Sequence, residues 1–402
     1  MKTDILKNLF DCYDDFKAKN INSDFIPHDV LKREIEAFKN NITFEIIKIG
    51  NSIEGRDIYR IKIGKGKTKI LVWSQMHGDE PTATSAIFDL FNFFADTQSY
   101  NELRKLIIDD LEIHFIPMLN PDGAERFQRE NSINVDINRD AVSQVCDESK
   151  LLWDYAQNLK PEFGFNLHDQ NSYYTAGRTN KSSAISLLIP PMDFVKSINY
   201  TREKGMQIIL KINEILSEII PGQVARYSDD FEPRAFGDNF VKTGISSILI
   251  ESGFYQGDYK KDFVRKLNFI SLLTAFTSIV KRDHEKLFYA DYFEIPENRE
   301  SLFDLLLKNV VITKAERNFI VDVGINRKKK YDQINKKFYF ESTIAGIGDL
   351  STFYGIEEYD MENAELEKEK FLFLDSAADF ELKREQSTIY KVVNGIIQRI
   401  NN

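Results

Sequence analysis

His77 and Glu80 stand three residues apart in the stretch Lys69–Glu80, KILVWSQMHGDE, directly after the apolar run Ile70–Trp73. That run has the length and composition of a buried parallel strand. The polar residues that end it fall where open α/β sheets hold ligands, at the carboxyl ends of strands. An imidazole and a carboxylate in one such turn can converge on a cation. Zn²⁺ accepts both donor types, and a catalytic zinc takes three protein ligands while keeping a fourth position open. A third ligand must then come from another strand end. Phe163–Leu167 is a second apolar run, and His168-Asp169-Gln170 follows it. His168 completes a His₂Glu set, with Asp169 a candidate acceptor that orients one ligand. A further run, Ile245–Ile250, ends in Glu251-Ser252-Gly253. A carboxylate just beyond an apolar strand is costly unless partnered, so Glu251 is either hydrogen-bonded structurally or a general base beside the metal.

The elements that would position these residues can be read in order. Helices are expected over 4–18 and 28–39, then strands over 43–49 and 56–63 joined by the polar turn Asn51–Gly55. Pro81 suits a helix's first turn, and Ala83, Ala86, Ile87, Leu90, Phe91 and Phe94 recur at helical spacing. A helix over 100–108 leads to a strand over 111–117. The strand runs into the turn pairs Asn120-Pro121 and Asp122-Gly123. A polar loop with Arg126 and Arg129 follows, then Val135-Asp136-Ile137-Asn138-Arg139-Asp140. Arginine presents a planar fork that suits a carboxylate, and asparagine adds a donor. Residues 149–159 and 197–219 read as helices. The polar loops 171–194, with Tyr173, Tyr174 and Arg178, and 227–239, with Arg234 and Asp238, have the character of cleft linings. Arg234 would favour an acidic substrate side chain and Asp238 a basic one. His28 and His114 read as a helix-entry and a strand residue.

The 402 residues carry 53 basic and 63 acidic side chains, a net charge of −10, which disfavours non-specific binding to nucleic acid or anionic membrane. Cys12 and Cys146 make neither a disulfide framework nor a CxxC pair. The N-terminus lacks the uninterrupted apolar core of a signal peptide, and no run approaches the length of a membrane span. A soluble, cytoplasmic protein is the expectation.

With SIEGRDI, HGDE, NPDG, VDINRD, NLHDQ and ILIESG in this order, residues 43–285 resemble the zinc carboxypeptidase (peptidase M14) family. The resemblance implies a three-layer α/β/α fold with a mixed, mainly parallel central sheet of about eight strands. It also implies one zinc per chain on His77, Glu80 and His168, Glu251 as general base for a zinc-activated water, and Arg129 on the oxyanion. Asn138 and Arg139 would hold the substrate's terminal carboxylate, and Tyr227 would cap the substrate, with Phe231 and Phe236 nearby. Arg126 competes for the role of Arg129. Asp140 after the Asn-Arg pair and Asp169 after His168 depart from the family's pattern. The implied activity is hydrolysis of a peptide bond next to a free terminal carboxylate. The alternatives are an amidase for murein peptides or N-acyl amino acids on the same scaffold, and a non-catalytic zinc-binding protein. A catalytic domain over 1–290 and a small β-rich C-terminal domain over 291–402 are expected. In the latter, 297–309 and 386–400 read as helices and 310–325, 336–345 and 370–374 as strands. The basic cluster Arg327–Lys330 and the acidic stretch Glu357–Glu369 read as solvated turns.

Overall fold

The apolar runs that precede the candidate residues lie side by side at the centre of one sheet. In the computed structural model, which describes residues 2–367 and 371–400, the chain forms two compact units. One holds residues 1–170 and 183–298, the other 171–182 and 299–402.

The first unit begins α1 (Lys2–Asp11), α2 (His28–Ala37), β1 (Phe44–Asn51), β2 (Asp57–Ile63), β3 (Thr68–Ser74) and α3 (Thr82–Ala95). Next come α4 (Asn101–Asp110), β4 (Leu111–Ile116), α5 (Pro121–Arg126), α6 (Asp147–Leu159) and β5 (Phe163–Asp169). After β6 (Tyr174–Ala176), which belongs to the second unit, it resumes with β7 (Ile185–Leu188), α7 (Tyr200–Ile219) and β8 (Val224–Arg226). It closes with α8 (Phe236–Lys242), β9 (Ser246–Ser252) and α9 (Asp262–Lys281). The eight-stranded sheet has the order β1-β2-β4-β3-β5-β9-β7-β8. Its centre, β4-β3-β5-β9, is parallel, while β1, β2 and β7 run antiparallel to their inner neighbours.

Strand β3 shows why these runs are continuously apolar. Ile70 and Val72 join the core shared with α3, α7 and α9, whereas Leu71 and Trp73 join the core on the other face with α6 and α8. A strand covered on both faces needs apolar residues at every position, and the result is the expected three-layer α/β/α fold. Within what reads as a polar loop, Ile185–Leu188 is a strand of this sheet and Val224–Arg226 another. Runs of three or four residues are too short for periodicity to reveal. Helix α9 corrects a second expectation. By length and hydropathy it is able to span a membrane, yet 83% of that stretch is buried in the structure, where it packs on α3 and α7. It is a core helix.

Arg265 of α9 and Asp89 of α3 form an ion pair with both side chains fully buried. Asp89 also accepts from the Tyr13 hydroxyl and the Ala18 amide, each at 2.7 Å. Arg265 donates to the carbonyls of Ile21 and Ala18, each at 2.9 Å. The N-terminal segment is thereby fastened to two core helices.

The second unit is all β. It comprises β6, β10 (Asn298–Glu300), β11 (Leu302–Lys314), β12 (Arg317–Asp332), β13 (Lys337–Gly348) and β14 (Tyr354–Asp360). Four more strands follow: β15 (Glu365–Leu366), β16 (Phe380–Arg384), β17 (Ser387–Val393) and β18 (Ile396–Arg399). Apart from the β6–β10 pair, they form one eight-stranded sheet around Leu305, Leu307, Val323, Ile325, Ile344 and Phe380. Segment 171–182 belongs here because β6 pairs with β10 and the amides of Ser301 and Leu302 donate to the Tyr173 carbonyl. The structural division after Asn298 falls later than the 290/291 boundary read from the sequence.

Several C-terminal expectations are corrected. Residues 297–309 form β10 and β11, not a helix; a short apolar run does not distinguish the two. Residues 386–400 form the hairpin β17–β18, whose turn Asn394-Gly395 has φ of 48° and 71°. Asn-Gly with both φ values positive matches the right-handed twist of a hairpin. Of the expected strand 370–374, Lys370 lies outside the described residues and 371–374 are not in a strand. Arg327–Lys330 lies within β12 opposite Ser342–Tyr339 of β13, so it is not a turn; of 357–369, Glu357–Asp360 lies in β14 and Glu365-Leu366 in β15, Glu362-Asn363 is a turn, and residues 368 and 369 lie outside the described residues.

Replacing Asp89 with Ala leaves the Arg265 guanidinium buried without its counter-ion, a loss of about 3–5 kcal/mol for a broken buried pair. Urea denaturation of the full chain should show a midpoint shifted down accordingly. An unchanged midpoint would mean that the pair does not hold the N-terminal segment.

Candidate metal centre

The HGDE turn leaves β3 and the NPDG turn leaves β4, and the two are packed together without intervening side chains. A Cβ on Gly78 would lie 2.0 Å from the carbonyl carbon of Gly123, and one on Gly123 would lie 2.5 Å from the Glu130 carbonyl oxygen, so both turns need glycine. Asn120 ties them. Its amide donates to the Gln75 carbonyl at 2.9 Å, and its side chain to the carbonyls of Met76 at 3.2 Å and Arg129 at 3.3 Å. Asp122, fully buried, is gripped from the turn after β1 by the Ser52 hydroxyl at 2.6 Å, the Glu54 amide at 3.0 Å and Arg56 Nη1 at 2.7 Å. This is what the EGR motif does: it locks NPDG, which locks HGDE. Arg126 is drawn to the same turn through Glu54 and the Asp122 carbonyl.

His77, Glu80 and His168 are all buried, and one donor atom of each falls within 4.8 Å of the others. Glu80 lies between the imidazoles. Its Oε1 is 2.8 Å from His77 Nδ1 and its Oε2 2.7 Å from His168 Nδ1. The two Nδ1 atoms are 3.1 Å apart. Donors placed around a tetrahedral zinc at ~2.1 Å would be about 3.4 Å from one another. The observed spacings are close to this, and two ring nitrogens facing each other at such range need a cation or a proton between them. The donor set and its geometry fit zinc.

A partner the sequence reading missed completes the set. His77 Nε2 donates to Asp136 Oδ1 at 3.1 Å, which leaves Nδ1 as the nitrogen available to a metal. Asp136, the aspartate of VDINRD, also accepts from Arg129 Nε at 3.0 Å and the Asn138 amide at 2.8 Å. Asp169 was the expected orienting acceptor. Instead its amide donates to Glu80 Oε2 at 3.1 Å, while its carboxylate takes the Thr82 hydroxyl at 2.5 Å and Lys261 Nζ at 3.1 Å. The difference between Asp136 and Asp169 is one of three-dimensional placement; an aspartate in a loop carries no periodic signal.

Burial opposes charge on Glu80, yet the two imidazoles hold its carboxyl well below the usual range. Burial likewise opposes protonation of His77, but Glu80 and Asp136 push it up to about 9. Burial keeps His168 below the ordinary imidazole value.

Strand register places Glu251 beside the cluster. His168 and Glu251 are direct partners in the parallel β5–β9 pair. Glu251 is 8% exposed, and its Oε2 has no hydrogen-bond partner among the described residues. Burial, and then the charge of Glu80, push its carboxyl up to about 8. Arg129 faces the same donors, with Nη1 3.2 Å from Glu80 Oε1 and 3.1 Å from His77 Nδ1.

The remaining expected residues are placed as follows. Asn138 accepts the Phe236 amide on Oδ1 at 3.0 Å, which fixes its side-chain amide. Arg139 is paired through Nε with Glu232 at 3.2 Å. Arg234 forks onto that same Glu232 at 2.9 and 2.8 Å. Asp238 is buried, accepts the Glu232 amide at 3.0 Å, and is pushed up to about 7 by burial. Asp140 accepts the amides of Val145 and Cys146 and so shapes its own loop. Tyr227 lies one residue beyond β8, two strands from β9, with its amide on the Leu187 carbonyl at 2.9 Å. His28 and His114 stand apart from the cluster, bonded to the Asp57 carbonyl and the Tyr155 hydroxyl.

Residues 33–207, which include His77, Glu80, Arg129, Asn138, Arg139 and His168, match the family model described as zinc carboxypeptidase, peptidase M14. Carboxypeptidase SOL1 of Arabidopsis thaliana is 26% identical over 148 residues, 35% of this chain and 30% of that protein. The probable carboxypeptidase 2 of Arthroderma benhamiae is 29% identical over 194 residues, 46% of this chain and 34% of that protein. The chain thus spans about a third of the length of the curated relatives it matches. A metallo-carboxypeptidase from Burkholderia cenocepacia shares the fold with a TM-score of 0.53 at 16% identity, over 64% of this chain and 70% of that one. Motifs and fold agree in making residues 33–207 similar to the zinc carboxypeptidase family.

Because His77 carries a proton below about pH 9, a metal on Nδ1 must displace it. Apparent zinc affinity should therefore rise with pH, up to about tenfold per unit, and level off above that value. Titration calorimetry at pH 7.5 in buffers of different protonation enthalpy should report about one proton released per zinc. Zero release would remove His77 from the ligand set.

Proposed function

We propose that this protein is a zinc-dependent carboxypeptidase that hydrolyses a peptide bond next to a free terminal carboxylate, with one zinc held by His77, Glu80 and His168. The observation that carries the reading is the neighbouring placement of His168 and Glu251, which sets a buried carboxyl with a free oxygen beside a His₂Glu donor set. When bound, zinc would supply Lewis acidity and an acidified water. Glu251 removes a proton from the attacking water at its unpartnered oxygen and later delivers it to the leaving amine. Its raised proton affinity suits both halves of that exchange. Arg129 is the donor for the developing oxyanion, an interaction worth on the order of 3 kcal/mol. Its hold on Glu80 and Asp136 keeps it aimed at the donor set.

Asn138 and Arg139 receive the terminal carboxylate. The Asn138 oxygen is already engaged by Phe236, which leaves its NH₂ as the group to donate. Arg139 is 37% exposed at the side chain, and an incoming carboxylate competes with Glu232 for its fork. Tyr227 is the candidate cap over the bound residue.

Two experiments test the reading. Glu251→Gln keeps the shape but loses the base, so kcat should fall at least about 100-fold while zinc content is unchanged. Turnover near that of the wild type would leave Glu251 with a structural role alone.

The second compares one good substrate, free and amidated at its carboxylate, on wild type and Arg139→Ala. Each single change should lower kcat/KM by an amount equivalent to about 2–5 kcal/mol, as for a buried charge pair that loses one partner. Together they should cost little more than either alone, since both remove one interaction. Equal cleavage of the two substrates by the wild type would defeat the carboxylate clamp and favour an amidase acting on murein peptides or acyl amino acids.

A further inference from the structure

Lys261 sits where the segment after β9 turns into α9. Its backbone is left-handed, with φ of 56°, and its amide donates to the Asp258 carbonyl at 3.0 Å. The Asp258 carboxylate caps the helix through the amides of Phe263 at 2.9 Å and Val264 at 3.0 Å. One turn further on, Arg265 is buried against Asp89. The root of the Lys261 side chain is therefore fixed from both sides.

From that root the side chain reaches back to the sheet. Lys261 Nζ donates to Asp169 Oδ2 and to the Ser252 carbonyl, each at 3.1 Å. Asp169 and Ser252 are register partners at the ends of β5 and β9, one step beyond the partners His168 and Glu251. Past this point the two strands part. The amide of Gly253 pairs with Ala184, and the chain after Gln170 passes into the other unit. The ammonium group bridges the strands at their last shared rung. Its carboxylate partner is 9% exposed and is also held by Thr82, the first residue of α3. A surface ion pair of two mobile side chains contributes little, but here one partner is buried and the other is rooted in a capped turn.

We propose that Lys261 is a positioning residue: by bridging Asp169 and Ser252 it holds the ends of β5 and β9 so that Glu251 stays beside the His77–Glu80–His168 donors. It acts through Asp169, whose amide also fixes Glu80 Oε2. The proposal rests on the carboxypeptidase reading for its catalytic consequence and on the donor set alone for its effect on metal.

The test uses the full chain with Lys261→Met, which keeps the stem and removes the ammonium, with Lys261→Arg, which restores a cation, and with Asp169→Asn alone and combined with Lys261→Met. Zinc affinity is read by competition with a chromophoric chelator, and kcat and KM are read at saturating zinc. Lys261→Met should bind zinc about tenfold more weakly and lose at least about tenfold in kcat, with KM changed little, as is typical when a group behind a metal ligand is removed. Lys261→Arg should recover most of both losses. The Lys261→Met/Asp169→Asn combination should be no worse than the poorer single variant, because one interaction is removed in each. Unchanged zinc affinity and kcat in Lys261→Met would overturn the proposal. So would a fall in thermal midpoint with zinc affinity and kcat intact, which is the signature of a structural role only. If the wild type cleaves no carboxyl-terminal substrate, the carboxypeptidase reading fails by itself, and the zinc competition still decides the role of Lys261.

Discussion

An ionised carboxylate inside a protein must be surrounded by donors, and Glu80 sets that requirement for the first unit. Two imidazoles, a guanidinium and a backbone amide converge on its two oxygens. They come from three different strand ends or loops: His77 after β3, Arg129 after α5, His168 and Asp169 at the end of β5. Placing all of them to within hydrogen-bond reach is possible only if the turns that carry them are themselves locked. The Gly78–Gly123 crossing, the Asn120 bonds and the Asp122 socket do this. The motif residues without any chemistry of their own are therefore the ones that make the charged cluster possible.

The same arrangement separates the carboxyls by electrostatics. Glu80 is held ionised by cations at contact distance, while Glu251, two strands over and equally buried, is pushed up by burial and by Glu80's negative charge and keeps its proton more tightly. Two like groups close together thus acquire opposite preferences.

Much of this could be read from the sequence, for a physical reason. His77, Glu80, His168 and Glu251 all follow apolar runs, so their placement at strand ends was legible without knowing the strand order. Which strand ends are neighbours was not legible. That β5 and β9 pair directly, with His168 opposite Glu251, depends on a tertiary choice that no local pattern encodes. Asp136 was missed for the same reason, and Asp169 was assigned a task that Asp136 performs. Errors in the second unit arose differently. Residues 297–309 and 386–400 have apolar residues dense enough to satisfy a helical template, although Asn394-Gly395 is a hairpin signal. Short strands such as Ile185–Leu188 carry too few residues for any period to emerge.

The second unit is not an extension tied on at one end. The polypeptide leaves the first unit after Gln170, returns at Ser183 and leaves again after Asn298. It is an interwoven pair of modules with three covalent crossings. A protease that nicks the chain between Asn298 and Arg299 would not set the modules free, since the loop 171–182 still belongs to the second unit through the bonds of Ser301 and Leu302 to Tyr173. A truncation at that point would likewise strip β6 of its partner strand and leave a twelve-residue stub hanging from the end of β5, only three residues from His168. Removing the second unit therefore takes two cuts, one of them at Gln170, two residues along the chain from His168.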